Sequence, residues 1–374
     1  MCLPLLVASC NSSTNERPAA SPSSSPIPSP TKPIALCFGP TPPDWAAAMS
    51  TTVASLPSIN FGPAAVDDAN AVVYGYFEAA SQHGVAAVDL RTGKMSVVAV
   101  MSASESGVTW MSYADNWVVW AQGESHDVLG NWTIQAWNVQ TREKVQVATS
   151  QLPDGTFLTG ELVFPVAGNG YVAWNQPTST SSADLRLYRF ASRDFITLDS
   201  GQLSSPVFAS RYLVWAKQVG SDPQSSLRFA DAQTLQSVAA PSELSKSYAS
   251  NYLAGSSGYL LWIGNSSSPT SSSSDLMADN LATGRITQYT SASHYLQFPT
   301  LAGNYLVWFA ATVDAVVDLS TGAGFDIPLP GGVTASGDTI VVAKLAAGVK
   351  GGVTSTTISV LHPSALTNIG SCAG

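Results

Sequence analysis

Charge is scarce in this chain. Only 11% of its 374 residues are Asp, Glu, Lys or Arg, against about a quarter in an ordinary soluble domain. The net charge is -9 and no cluster of Lys and Arg interrupts it. That leaves no electrostatic footprint for nucleic acid or for an anionic membrane surface, so neither is expected as a partner. No segment approaches the roughly 20 apolar residues of a spanning helix. HExxH, CxxC and Gly-rich phosphate-loop motifs are all missing. No catalytic residue, metal ligand or cofactor is therefore assigned. The place of charge is taken by Ser, Thr, Gly and Pro, beside a hydrophobic share of 45%. Such a chain builds many short strands and turns around a large core.

Self-similarity is the strongest signal. Six segments share a short apolar run that ends in an aromatic: Ala71-Val72-Val73-Tyr74, Trp117-Val118-Val119-Trp120, Tyr171-Val172-Ala173-Trp174, Tyr212-Leu213-Val214-Trp215, Tyr259-Leu260-Leu261-Trp262 and Tyr305-Leu306-Val307-Trp308. Thr339-Ile340-Val341-Val342 is a weaker seventh. Their last positions are 46, 54, 41, 47, 46 and 34 residues apart, around the ~40–50 residues of one propeller blade. Ahead of the run stand turn residues tolerant of positive φ, as in Gly168-Asn169-Gly170, Ser210-Arg211, Gly303-Asn304 and Gly337-Asp338, which read as a hairpin between strands a and b. After it comes an Asp/Asn-x-x-Thr element at Asp89, Asn138, Asp231, Asn280 and Asp318, read as the hairpin between strands c and d. The expected fold is all-β: a seven-bladed β-propeller of four-stranded antiparallel blades, with the repeated aromatics sealing the gaps between blades. Residues 51–55 resemble a fourth strand without a blade of their own and are expected to complete the last one.

The ends of the chain carry a second set of expectations. Val7-Ala8-Ser9-Cys10 resembles the lipobox of bacterial lipoproteins, which implies export and a lipid on Cys10. Residues 1–9 are shorter than an export signal and lack Lys or Arg, which points to a start upstream of Met1. Residues 11–33 are dominated by Pro and Ser and read as an extended spacer. The domain reading is thus residues 1–10 as signal remnant and lipobox, 11–36 as linker and 37–374 as propeller. With Cys2 leaving in the signal and Cys10 acylated, Cys37 and Cys372 remain, one at each end of the folded part, as a disulfide candidate. The expected location is the bacterial cell envelope, outside the cytoplasm, with the lipid as sole membrane contact and the protein a monomer.

The Pro, turn, apolar-plus-aromatic strand and Asp-x-x-Thr-Gly hairpin together resemble the TolB-like propeller repeats of bacterial envelope proteins. The resemblance covers residues ~63 to ~361 and implies a protein-interaction platform. Some members of that group are coupled to hydrolase domains, for which this chain has no room.

In such a fold the b–c and d–a connections share one face. The b–c loops, read at residues 123–131, 176–184, 217–225 and 264–275, are long and variable, so this face is the expected working one. It would hold His83, His126 and His294, with Glu124, Asp127, Asp222 and Asp275 as acidic neighbours. His362 falls near the opposite face and is assigned no role. Trp132 has two readings, an exposed ring for a sugar or protein partner or core packing. His83, His126, Asp127, Trp132 and His294 form the candidate binding set. The first functional reading is a binding module for an unidentified protein, peptide or glycan. The alternative is an envelope enzyme, a glycan lyase or hydrolase at the channel mouth, for which Glu161, Asp154 and Asp184 are the nameable carboxylates.

Overall fold

The computed structural model describes residues 33–102, 107–123, 131–151, 154–157, 163–179, 181–218, 225–240, 244, 248–249, 253–265, 274–290, 297–309, 314–327, 331–347 and 353–371. Seven antiparallel sheets follow one another along the chain, each a meander of four strands labelled a to d. Blade 1 runs Asn60–Asp67, Val72–Ala79, Gln82–Asp89 and Met95–Val100. Blade 2 runs Gly107–Ala114, Trp117–Gly123, Trp132–Asn138 and Lys144–Thr149. Blade 3 runs Val166–Gly168, Tyr171–Ser179, Ser182–Arg189 and Asp194–Gly201. Blade 4 runs Val207–Ala209, Tyr212–Gln218, Ser225–Asp231 and Ser237–Val238. Blade 5 runs Leu253–Gly255, Tyr259–Asn265, Ser274–Asn280 and Arg285–Thr290. Blade 6 runs Gln297–Ala302, Tyr305–Phe309, Asp314–Asp318 and Ala323–Ile327. Blade 7 runs Gly331–Ser336, Thr339–Ala347 and Val353–Leu361, and its strand d is Ala54–Pro57 from the other end of the chain. The ring thus closes as residues 51–55 suggested, with Ala54 opposite Ile358 and Ser55 opposite Thr357.

The core is seven inter-blade clusters. Trp120, Trp174, Trp215, Trp262 and Trp308 each project from strand b towards the preceding blade, and none is more than 4% exposed. Burying a side chain of this size contributes roughly 1.5–3 kcal/mol, which a lone blade could not collect.

Blade 1 departs from the expected alignment. The amide of Leu90 donates to Ala71 O as that of Val139 donates to Asn116 O, so Ala71 matches Asn116 and Gly75, not Tyr74, occupies the tryptophan position. The vacated volume is filled from the neighbouring strand: a Cβ on Gly75 would lie 2.7 Å from the Phe61 ring and 2.2 Å from Gly62 O. Tyr74 turns to the other side, where it stacks on Tyr113 at 5.4 Å. In blade 1 the aromatic stands one residue before the position of the repeated tryptophan, which reverses its face.

The linker was expected to extend as far as residue 36, yet residues 34–36 already belong to the wheel. Ile34–Ala35 adds a parallel strand to the outer edge of blade 5, and Cys37–Phe38 adds one to blade 6. A helix, α1 (Pro43–Ser50), follows. Proline opens it where the missing N–H costs nothing. Its Trp45 is 0% exposed, packs on Tyr305 and Phe325, and donates its indole N–H to Thr367 O at 2.8 Å. Lys344 and Ser359 of blade 7 donate to Met49 O near the helix end, at 3.0 and 2.9 Å, the terminus where a cation is favoured. Trp45 sits in the cluster between blades 6 and 7, where the repeat supplies only Val342. Among the described residues no helix is long and apolar enough to cross a membrane.

Candidate binding face

The two faces of the wheel are built differently. On the a–b and c–d face the repeated polar residues close on themselves. The Oδ1 atoms of Asp89, Asn138, Asp231 and Asn280 each accept from the backbone N–H groups two and three residues on, at 2.8–3.1 Å. Asp318 accepts from Ser320 N at 2.7 Å. Neighbouring blades are then joined turn to turn. Gly170 N donates to Asp115, Ser210 N to Ser256 O and Gly303 N to Gly337 O. Asp68 of blade 1 accepts from Thr339 Oγ1 and Asp338 N of blade 7. His362 lies here as expected, its Nδ1 3.2 Å from Asp338 O. This face is spent on holding the ring.

The opposite face receives the b–c and d–a connections. His83 lies there, near the start of strand c of blade 1, half-buried and 6.3 Å from the Tyr76 ring. Trp132 opens strand c of blade 2 but is only 6% exposed, in the cluster between blades 2 and 3. Its backbone N–H donates to Ser150 Oγ at 2.9 Å, and Ser150 N donates back to its carbonyl. The core reading holds, and Trp132 leaves the set of exposed contact residues: a flat, large apolar ring at an inter-blade gap gains more from burial than from solvent. His126, Asp127 and His294 lie outside the described residues, as do Glu124, Asp222 and Glu161. Asp275 is 2% exposed and accepts from Gln288 Nε2 at 2.8 Å, so it packs inside blade 5 instead of standing on the surface. The long loop expected at residues 176–184 is a tight hairpin, since strands b and c of blade 3 extend to Ser179 and Ser182.

Innermost strands line the axis. Among the described residues the seven a strands carry a single carboxylate, Asp67, and no Lys, Arg or His. Asp67 sits at the a–b end and is held by Tyr113 OH at 2.6 Å and by the Asn70 amide at 2.8 Å. Of the named acid candidates, Asp184 lies on strand c of blade 3 with Ser200 Oγ at 2.6 Å, and Asp154 is exposed and bound to Thr156. Among the described residues no three of His, Cys, Asp and Glu gather closely enough to hold a metal ion.

Two features of this end escaped the sequence. Asp314 opens strand c of blade 6, is 1% exposed and leaves Oδ1 without a hydrogen-bond partner among the described residues. Burial pushes its carboxyl up to about 7. The second is a cleft of about 260 Å³ between blades 3 and 4, lined by Leu198, Asp199, Trp215, Lys217, Arg228 and Ser237. Lys217 Nζ lies 2.5 Å from Asp199 Oδ1, and Trp215 Nε1 donates to Asp199 Oδ2 at 2.9 Å. Burial pushes Asp199 up, but these bonds and that of the Ser200 amide outweigh it and hold the carboxyl below its ordinary range. Its residues come from strands of two blades, so no local motif announces it.

No protein-family model matches this chain, and no curated protein matches its sequence. Solved structures do resemble it. The β-propeller domain of the trilobed protease from Pyrococcus furiosus superposes with a TM-score of 0.53 at 7% identity, over 81% of this chain and 94% of that one. That domain has an open velcro topology, whereas here Ala54–Pro57 closes the ring. A prolyl endopeptidase gives a TM-score of 0.52 at 12% identity, over 85% of this chain and 48% of that one, so the chain spans about half its length. Oligogalacturonate lyase from Vibrio parahaemolyticus gives 0.50 at 8% identity, over 84% and 93%. At such identities the likeness is one of fold, the β-propeller, and the same fold serves many chemistries.

Proposed function

We propose that this chain is an exported, lipid-tethered β-propeller that acts as a non-enzymatic binding module, presenting its b–c and d–a face to a protein, peptide or glycan. The observation that carries this is the division of labour between the faces. Most of the a–b and c–d turns are committed to a repeated hydrogen-bond network, while long connections, from Gly123 to Trp132 and from Asn265 to Ser274, fall on the other side. The axis supports the same reading, because its described wall lacks the paired carboxylates that hydrolysis of a glycosidic bond requires. The resemblance of the repeats to TolB-like propellers supports an interaction platform. The lipid on Cys10 and the Pro/Ser spacer would hold that platform away from a membrane. A Cys37–Cys372 bridge fits the same scheme. Thr367, five residues before Cys372, donates to Asp44, seven residues after Cys37, at 2.6 and 2.9 Å.

The test is a comparison of three proteins on a glycan array and in cross-linking to intact envelopes: wild type, a variant with residues 124–130 and 266–273 replaced by two-residue turns, and a variant altered at the exposed c–d turn residues Arg91 and Gln140. Saturable binding lost only in the first variant is expected. Binding that survives loop replacement, or breakdown of any polysaccharide by the wild type, would overturn the reading. For the tether, incorporation of a palmitate analogue in a bacterial host should vanish in Cys10→Ala; label that persists removes the lipid anchor.

A further inference from the structure

We propose that the cleft between blades 3 and 4 is a binding site for a small oxyanion, gripped by the guanidinium of Arg228 and the ammonium of Lys217. The site is separate from the macromolecular contact proposed above and does not depend on it.

The argument is a count of donors and charge. Asp199 is the single carboxylate of the cleft, and its oxygens already accept three bonds, from Lys217 Nζ at 2.5 Å, Trp215 Nε1 at 2.9 Å and Ser200 N at 2.8 Å. It is held as the anion by those bonds. Lys217 therefore has one of its three donors engaged on Asp199, with the remainder unspent. Arg228 is the cross-strand neighbour of Trp215 and lines the same cleft. Among the described residues it forms no hydrogen bond or ion pair. Two cations and one satisfied anion leave a net charge of +1 around a cavity of about 260 Å³. Among the described residues of the cleft, cationic donors outnumber the carboxylate acceptors, a balance that favours an anion from outside. An arginine fork meets carboxylate or phosphate oxygens with two parallel bonds, which a lysine alone cannot do.

The placement also matters against the rest of the molecule. The chain carries -9 overall from only 16 basic residues, so its general field repels anions and only a local concentration of positive charge can hold one. Asp199 serves as the positioning residue: it binds both the ammonium of Lys217 and the indole N–H of Trp215. Lys217 stands one residue from the end of strand b, and Asp199 two residues from the end of strand d. Both strands run on into the connections of the b–c and d–a face.

The experiment is a titration of the whole protein with inorganic phosphate and, separately, with succinate, at ionic strength balanced with chloride, followed by calorimetry and by the thermal midpoint. Saturable binding of at least one anion is expected, with a dissociation constant on the order of 1 mM. Arg228→Gln should weaken it by about tenfold or more, the loss of a charge-assisted pair of bonds. Arg228→Lys, which keeps the charge and loses the fork, should fall between. Arg228 is exposed, so these variants should keep the wild-type midpoint when no anion is added. Arg91→Gln, on the far face, should bind as wild type does. Phosphate binding without succinate binding assigns a phosphorylated ligand, and the converse a carboxylate. Absence of saturable binding by both anions, or undiminished binding in Arg228→Gln, overturns the proposal.

Discussion

Replacing Asp314 by Asn should stabilise the protein at alkaline pH and leave it almost unchanged near pH 4. Asp314 is 1% exposed and Oδ1 has no partner among the described residues, so its charge must be carried in a low-dielectric interior without compensation. Burial raises the carboxyl from 3.8 to about 7. Between those two values the folded chain keeps a proton that the unfolded chain has released. Stability therefore falls as pH rises from about 4 to about 7 and is level above that. At 1.36 kcal/mol per pKa unit, the difference amounts to about 4 kcal/mol. Asn reproduces the neutral acid in shape and has nothing to ionise. The gap between variant and wild type should grow from under about 1 kcal/mol at pH 4 to about 4 kcal/mol at pH 8, or roughly 5–10 °C in midpoint for a domain of this size. Urea denaturation of both proteins at half-unit steps measures it directly. A gap that is constant across pH, or a wild type that is the more stable at pH 8, would refute the account of an unpartnered buried carboxyl.

Trp45→Ala should cost about 3–5 kcal/mol, as for a large aromatic removed from a core, and should lower the urea midpoint of the single transition without changing the anion affinity of Arg228. Gly337→Ala should destabilise, because Gly337 has φ +59° and a Cβ there would lie 2.4 Å from Asp68 Oδ2; in an Asp68→Ala background the same change should cost less, and a double-mutant cycle of denaturation midpoints reads the coupling. Cys37→Ser in oxidised, exported protein should remove a cross-linked peptide containing residues 37 and 372 from a non-reducing digest and lower stability by about 2–4 kcal/mol. A digest of the wild type without that peptide would exclude the bridge.

The sequence by itself determined the wheel. The blade is a local unit, and its signals are local: positive-φ residues at the a–b turn, Asp or Asn with Thr at the c–d turn, and an apolar run with a terminal tryptophan in between. Each turn appears in the structure as the hydrogen-bonding it foretold, from Asp89 to Asp318. Closure by residues near 54 was legible too, because seven blades need a last strand and one strand was left over. What the tertiary structure alone decided is what lies between blades. Gly75 at the tryptophan position makes sense only with Phe61 beside it. Trp132 could be read as exposed or buried until the third blade was packed against the second. Residues 34–38 pair with sheets some 250 or more residues away, and nothing in Ile-Ala-Leu-Cys-Phe states which edge they join. Asp314 looks like an ordinary strand-end acid, and Asp199, Lys217 and Arg228 like scattered surface charges. Burial and the meeting of charges are properties of the gap between two sheets, and a gap has no sequence of its own.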